Sequence, residues 1–104
     1  MVNVIIYLKQ HHNASDLVTK LLHAELIATA SIDSNNRFYT KHTDGTIIEE
    51  IKNVITAQSK GLLFNDLVAF VQDIVGHDVF IVGIPIVYSN DNFENLMKLA
   101  TKKV

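Results

Sequence analysis

The chain has 104 residues, 48% of them hydrophobic and only 19% charged, against a usual charged share of about 25%. Nine basic against eleven acidic residues, with no basic run longer than Lys102-Lys103, leave no electrostatic footprint for nucleic acid or an anionic membrane. Cysteine is absent, which excludes disulfides, thiolate zinc sites, iron-sulfur clusters and cysteine nucleophiles.

One domain, residues 1–104, is expected, since a globule of this size buries about 65% of the surface its unfolded chain exposes. So low a charge share on a small domain also implies that part of its surface is covered in an oligomer. The first residues, Met1-Val2-Asn3-Val4, lack the basic region of a secretion signal. The longest apolar run, Val79 to Tyr88, contains Gly83 and Pro85 and has about half the length of a membrane-crossing helix. A cytoplasmic protein with no membrane partner is the expectation.

Val2, Val4, Ile6 and Leu8 alternate with Asn3, Ile5, Tyr7 and Lys9, the pattern of a central strand with apolar residues on both faces. After Gln10-His11-His12, Asn13 is a good N-cap with Asp16 at the third helical position. The stripe Leu17, Val18, Leu21, Leu22 and Leu26 predicts a helix from about Ala14 to Ile27. From Ala28 to Lys41 the pattern is β, and the polar insert Asp33-Ser34-Asn35-Asn36 predicts a bulge. His42-Thr43-Asp44-Gly45 is a hairpin turn, and Thr46 to Ala57 is a long strand with Ile47, Glu49, Ile51, Asn53 and Ile55 on one face. These two strands make an arm that outreaches the sheet.

Gln58 to Gly61 breaks the strand, and Leu63, Leu67, Phe70, Val71, Ile74 and Val75 then recur at helical spacing up to Gly76, the C-cap. Val79 to Tyr88 is a fourth strand. Ser89 or Asn90 caps a last helix with Phe93, Leu96, Met97 and Ala100 inward. The order β-α-β-β-α-β plus a C-terminal helix reads as an α+β, ferredoxin-like fold, a four-stranded antiparallel sheet with helices on one face. The fourth strand then lies at an edge, which tolerates Pro85. Apolar on both sides, that edge needs cover from another subunit or from the last helix.

Several segments resemble the CutA family of divalent-ion tolerance proteins within the PII-like trimers. Leu22-His23-Ala24-Glu25-Leu26-Ile27-Ala28-Thr29-Ala30-Ser31-Ile32 is similar to that family's helix end and following strand. Phe38-Tyr39 with Gly45, Ile47 and Glu49 is similar to its aromatic hairpin, Ile84-Pro85-Ile86 to its last strand, and Asn90 to Leu99 to its closing helix. Thr29 stands where the family has cysteine, no tryptophan lies near Tyr39, and Ile74 to Phe80 replace a histidine-proline-tyrosine and proline-glutamate signature. The resemblance implies a PII/CutA-like fold and a homotrimer, with copper binding not carried over.

In such an assembly the arm lies near a subunit boundary. Arg37, the only arginine, with Tyr39 and Lys41, is then a candidate cleft for a small anionic ligand such as a phosphate or carboxylate. A salt bridge or simple packing explains the same residues. His11 and His12 are candidate ligands for a divalent metal ion, the only cofactor considered, although adjacent imidazoles need a third ligand from elsewhere and also occur as solvated turn residues. His42 with Lys41 and Asp44, and His77 with Asp78, have acid/base chemistry but no nucleophile beside them. Glu49 and Glu50 point to opposite faces of their strand and form no carboxylate pair. The four glycines are scattered, so no phosphate loop is present.

Three classes of function follow. The first is a non-catalytic CutA/PII-like trimer that binds a small ligand or metal ion in intersubunit clefts, in signalling or ion tolerance. The second is a structural or protein-interaction trimer without the ligand site. The third, a ferredoxin-like enzyme, would need a cluster of polar strand residues on the open sheet face.

Overall fold

In the computed structural model, which describes residues 1–104, β1 (Val2–Lys9) is followed by α1 (Ala14–His23), β2 (Thr29–Lys41) and β3 (Ile47–Ser59). A single 3-10 turn at Gly61–Leu63 leads into α2 (Phe64–Val75), then β4 (Phe80–Pro85) and α3 (Asp91–Ala100). The strands form one sheet in the order β2-β3-β1-β4 with every neighbouring pair antiparallel. This is the ferredoxin-like arrangement, with β1 central and β4 at an edge.

The alternation in β1 explains the layering. Val2, Val4, Ile6 and Leu8 are buried, and with Ile55 and Ala57 of β3 they pack against Leu17 and Leu21 of α1 and Leu67 and Val71 of α2. Asn3, Ile5, Tyr7 and Lys9 point to the other face, which no helix covers. On that bare face β4 presents Phe80, Val82 and Ile84, which are 51%, 43% and 49% exposed. The accessible surface is 6534 Å², above the roughly 5,900 Å² typical of a monomer of this mass. No helix is long and apolar enough to cross a membrane.

The arm has a simple origin. β3 pairs with β1 only from Lys52 to Ser59, so its first five residues, Ile47–Ile51, pair with β2 alone. Two 13-residue strands span roughly 43 Å at about 3.3 Å per residue, which matches the 46 Å long axis of the molecule. The expected bulge lies between Asp33 and Asn36, with Asn35 at φ 69°. At the tip, Gly45 sits at φ 90°, and Asp44 Oδ1 accepts a hydrogen bond from the Thr46 N–H at 2.9 Å.

Elements α1, β4 and α3 differ from the sequence reading, and β3 runs on to Ser59 instead of breaking at Gln58 because Gln58 and Ser59 still pair with Asn3 and Val2 of β1. Helix α1 ends at His23 rather than Ile27, because Glu25 turns left-handed at φ 59° and Leu26 N–H bonds back to the Leu21 carbonyl at 3.1 Å. The chain then joins the sheet through Ala28 N–H to the Gln58 carbonyl. Strand β4 stops at Pro85 rather than Tyr88 because its partner β1 starts at Val2, leaving Ile86 to bond the Met1 carbonyl and Tyr88 92% exposed. In α3, Asn90 is the N-cap, its side chain accepting from Phe93 N–H at 3.0 Å, but only Met97 is buried and Leu96 is exposed. The last helix therefore does not cover β4.

Gly83 is the tightest point between sheet and helix, since a Cβ there would lie 2.9 Å from Phe64 Cε1 and 3.1 Å from Val2 Cγ2. Overpacking of this kind costs about 1–3 kcal/mol. Gly83→Ala is expected to lower the urea unfolding midpoint by a corresponding amount, and an unchanged midpoint would show that Phe64 moves aside freely.

Candidate functional site

The place where β3 leaves β1 is also where charge collects. Lys9 and Lys52 are register partners across the β1–β3 ladder, and like charges directly opposite repel. Each ammonium has found a carboxylate. Lys9 forms an ion pair with Asp78, just before β4, and Lys52 Nζ lies 3.8 Å from Glu50 Oε2 on its own strand. The Lys9 ammonium holds the Asp78 carboxyl below its ordinary range, and the hydrogen bond to Asp78 raises Lys9 above its own.

Lys52 is unusual among the charged residues in being only 5% exposed. Its Nζ sits 5.0 Å from the Phe38 ring centroid and 5.7 Å from that of Phe80. Those two rings are tilted against each other with centroids 5.8 Å apart, and Tyr7 packs on Phe38 at 5.2 Å. Three strands thus supply an aromatic bed for one ammonium, an arrangement contributing about 0.5–2 kcal/mol depending on desolvation. Beside it opens a cavity of about 400 Å³ lined by Lys9, Thr40, Lys41, His42, Glu50, Lys52, Asp78 and Phe80. Such a volume suits a small organic ligand.

The residues singled out in the sequence fall into three places. Arg37 and Tyr39 share a face of the arm outside this cavity. The Arg37 Nε donates to Glu49 Oε1 at 2.8 Å, and its guanidinium carbon lies 5.9 Å from the Tyr39 ring centroid. The guanidinium lowers the Glu49 carboxyl, while desolvation comes first among the causes that raise the Tyr39 hydroxyl. Lys41 lines the cavity instead, with His42. Glu49 and Glu50 point apart as read, one to Arg37 and the other to Lys52. Asp78 serves Lys9, and Asp44 closes its turn.

The His11 and His12 rings touch with centroids 4.2 Å apart, their planes tilted by 39°. Their turn is closed by His12 N–H to the Lys9 carbonyl at 3.1 Å and tied to β3 by Asn53 Nδ2, 3.4 Å from the His12 carbonyl. Desolvation, and then His11 and Lys9, lower the His12 imidazole, which keeps it neutral at physiological pH. His11 lines a shallow depression of about 660 Å³ with Lys9, Gln10, Glu50 and Ile51. No group of three histidine or carboxylate side chains converges in one chain.

Lys9 and Lys52 were not among the residues expected to matter. A hint existed in the even-numbered face of β3, where Lys52 continues the row of Val54 and Thr56 as the one cation on the strand's face away from the helices. What no pattern showed was that Phe38 and Phe80, 42 residues apart in sequence, meet over it.

No family model matches this chain, and no curated protein matches it by sequence. Solved structures do match. CutA1 from Pyrococcus horikoshii superposes with a TM-score of 0.87 at 21% identity, covering 99% of this chain and 100% of that one. The chain has the CutA1 fold. The divalent ion tolerance protein CutA1 from Ehrlichia chaffeensis is similar with a TM-score of 0.83 at 22% identity, over 98% of this chain and 96% of its own. The periplasmic divalent cation tolerance protein CutA from Archaeoglobus fulgidus gives 0.85 at 17%, over 98% and 100%. The resemblance read in the helix end, hairpin and last strand thus extends, as a likeness of fold, to the whole backbone.

The exposed pairs Lys9–Asp78 and Arg37–Glu49 predict a pH dependence. Both carboxyls are lowered in the folded protein, so the stability they confer is complete above the unfolded values near pH 4 and is lost as pH falls through the lowered folded values. Acid unfolding of an Asp78→Asn, Glu49→Gln double variant should therefore show a shallower loss of stability between about pH 5 and 2 than the parent chain. Parallel curves would mean that the pairs are screened out by solvent.

Proposed function

We propose that this chain is a divergent, non-catalytic CutA-type protein that assembles as a homotrimer and binds a small ligand in clefts beside its β-arms. The observation that carries the reading is the uncovered sheet face with its protruding arm. Phe80, Val82 and Ile84 on β4, Ile47 and Ile48 on the arm, and Val87 and Tyr88 beyond β4 are all exposed. A lone chain gains nothing by exposing them, whereas symmetric copies would bury them against one another. The resemblance to PII-like trimers and the likeness to CutA1 structures support three copies. The aromatic and charged cavity at the arm's base supports ligand binding over a purely structural trimer, and no nucleophile in it favours catalysis.

Light scattering on the purified chain is expected to return about three times 11.7 kDa. Val82→Asp or Ile84→Asp should abolish that mass or solubility, because a charge buried in an apolar contact finds no counter-ion. A monodisperse monomer at micromolar concentration, or two variants that remain trimeric, would overturn the assembly.

The close approach of the His11 and His12 rings supports a second reading, divalent-metal binding. With two imidazoles per chain, a tight site needs further ligands from a neighbouring subunit. The expectation is weak zinc or copper binding, lost in a His11→Ala, His12→Ala double variant. Calorimetry on tag-free protein decides it, and submicromolar affinity removed by the double variant would make metal the ligand rather than an incidental guest.

A further inference from the structure

Register puts Thr29 of β2, Gln58 of β3, Asn3 of β1 and Ile84 of β4 in one line straight across the uncovered face of the sheet. Hydrogen bonds that all run the same way join the first three. The Thr29 hydroxyl donates to Gln58 Oε1, and Gln58 Nε2 donates to Asn3 Oδ1 at 2.5 Å. Asn3 ends the row with its oxygen engaged, so what it still offers is the pair of N–H donors on Nδ2. Its neighbour on the other side, Ile84, has nothing to accept them. The half-exposed amide of the lone chain leaves these donors to water.

The row stands at the end of an apolar strip. The next line across the sheet is Ser31, Thr56, Ile5 and Val82, and the one after it is Asp33, Val54, Tyr7 and Phe80. The β1 and β4 side of the face is thus apolar apart from Asn3. Apolar contact is non-directional, and the strip alone lets copies slide or turn over one another. The lone chain exposes roughly 600 Å² more than a typical monomer of its mass, close to the roughly 800 Å² that one partner loses in a standard interface, which fits a second copy as the cover. Covering the strip also takes water from Asn3, and donors withdrawn from water without an acceptor are costly. We infer that the Asn3 carboxamide is a contact between copies of this chain, its N–H donors meeting an oxygen of the neighbouring copy, and that the Thr29–Gln58–Asn3 row selects one docking geometry among those the apolar strip allows. Each amide is held by the residue before it, which gives the last donors a fixed direction. Single polar groups in apolar contacts set register and copy number in the same way in coiled coils. The inference rests on the assembly proposed above but not on its ligand or on the number of copies.

The test reads the mass distribution of the full chain by light scattering and native mass spectrometry, and side-chain amide hydrogen exchange by NMR. The parent chain is expected to show one mass, and the Asn3 Nδ2 hydrogens to exchange about tenfold or more slowly than those of Asn65, exposed on α2. In a Thr29→Val, Gln58→Leu, Asn3→Leu variant no group of the row is left unpaired. That chain should fold and still associate, but as two or more masses in place of one. A single mass equal to the parent's overturns the inference. So do Asn3 hydrogens that exchange as fast as those of Asn65 in an assembled parent, a measurement that decides the matter if the triple variant does not fold. A monomeric parent would overturn the assembly and this contact together. A parent of one mass other than three chains, with Asn3 protected, would refute the trimer and leave the contact standing.

Discussion

Two helices of ten and twelve residues cover one face of a four-stranded sheet and leave the opposite face to water, and the remaining features of the molecule are responses to that bare face. Val4, Ile6 and Leu8 disappear beneath α1 and α2, so the alternate residues of β1 necessarily emerge on the far side. In an ordinary two-layer domain that side is polar. Here it carries Ile5, Tyr7, Phe80, Val82 and Ile84, with the polar residues Asn3, Gln58 and Thr29 gathered at one end in a hydrogen-bonded row. A surface of that composition is built to be covered.

The arm is the second consequence of unequal strand lengths. β1 has eight residues where β2 and β3 have thirteen, and antiparallel pairing runs only as far as the shorter partner. At the step, β3 loses β1 as a neighbour, and Lys52 marks the last shared register position. Two lysines opposed at that step would repel, and Asp78 and Glu50 offset them without filling every donor. The aromatic pair Phe38 and Phe80, from β2 and β4 on one face of the sheet, then closes over the Lys52 ammonium. Charge, aromatic packing and a concave surface coincide because one strand ends early.

Much of this fold was legible in the sequence because it is written in local periodicity. Alternation in β1, the stripe of α1 and α2, Asn13 as a cap, the Asp44-Gly45 turn and the polar bulge near Asn35 each depend on residues close together in the chain, and the structure contains all of them. Element order then leaves few topologies open. The ends of elements were less legible: α1 stops at His23 and β4 at Pro85 for reasons of distant pairing, the first to bring Ala28 to Gln58 and the second because β1 offers no partner past Met1.

The sequence by itself determined the α+β class, the central and edge positions of β1 and β4, and the opposite orientation of Glu49 and Glu50, because side-chain direction in a strand follows from counting by two. Only the tertiary structure decided that Glu49 occupies the arginine, that Asp78 reaches Lys9 rather than orienting His77, and that Lys52 lies between Phe38 and Phe80. Those choices depend on register between strands far apart in the chain, and register is set by the summed packing of the whole sheet rather than by any one segment.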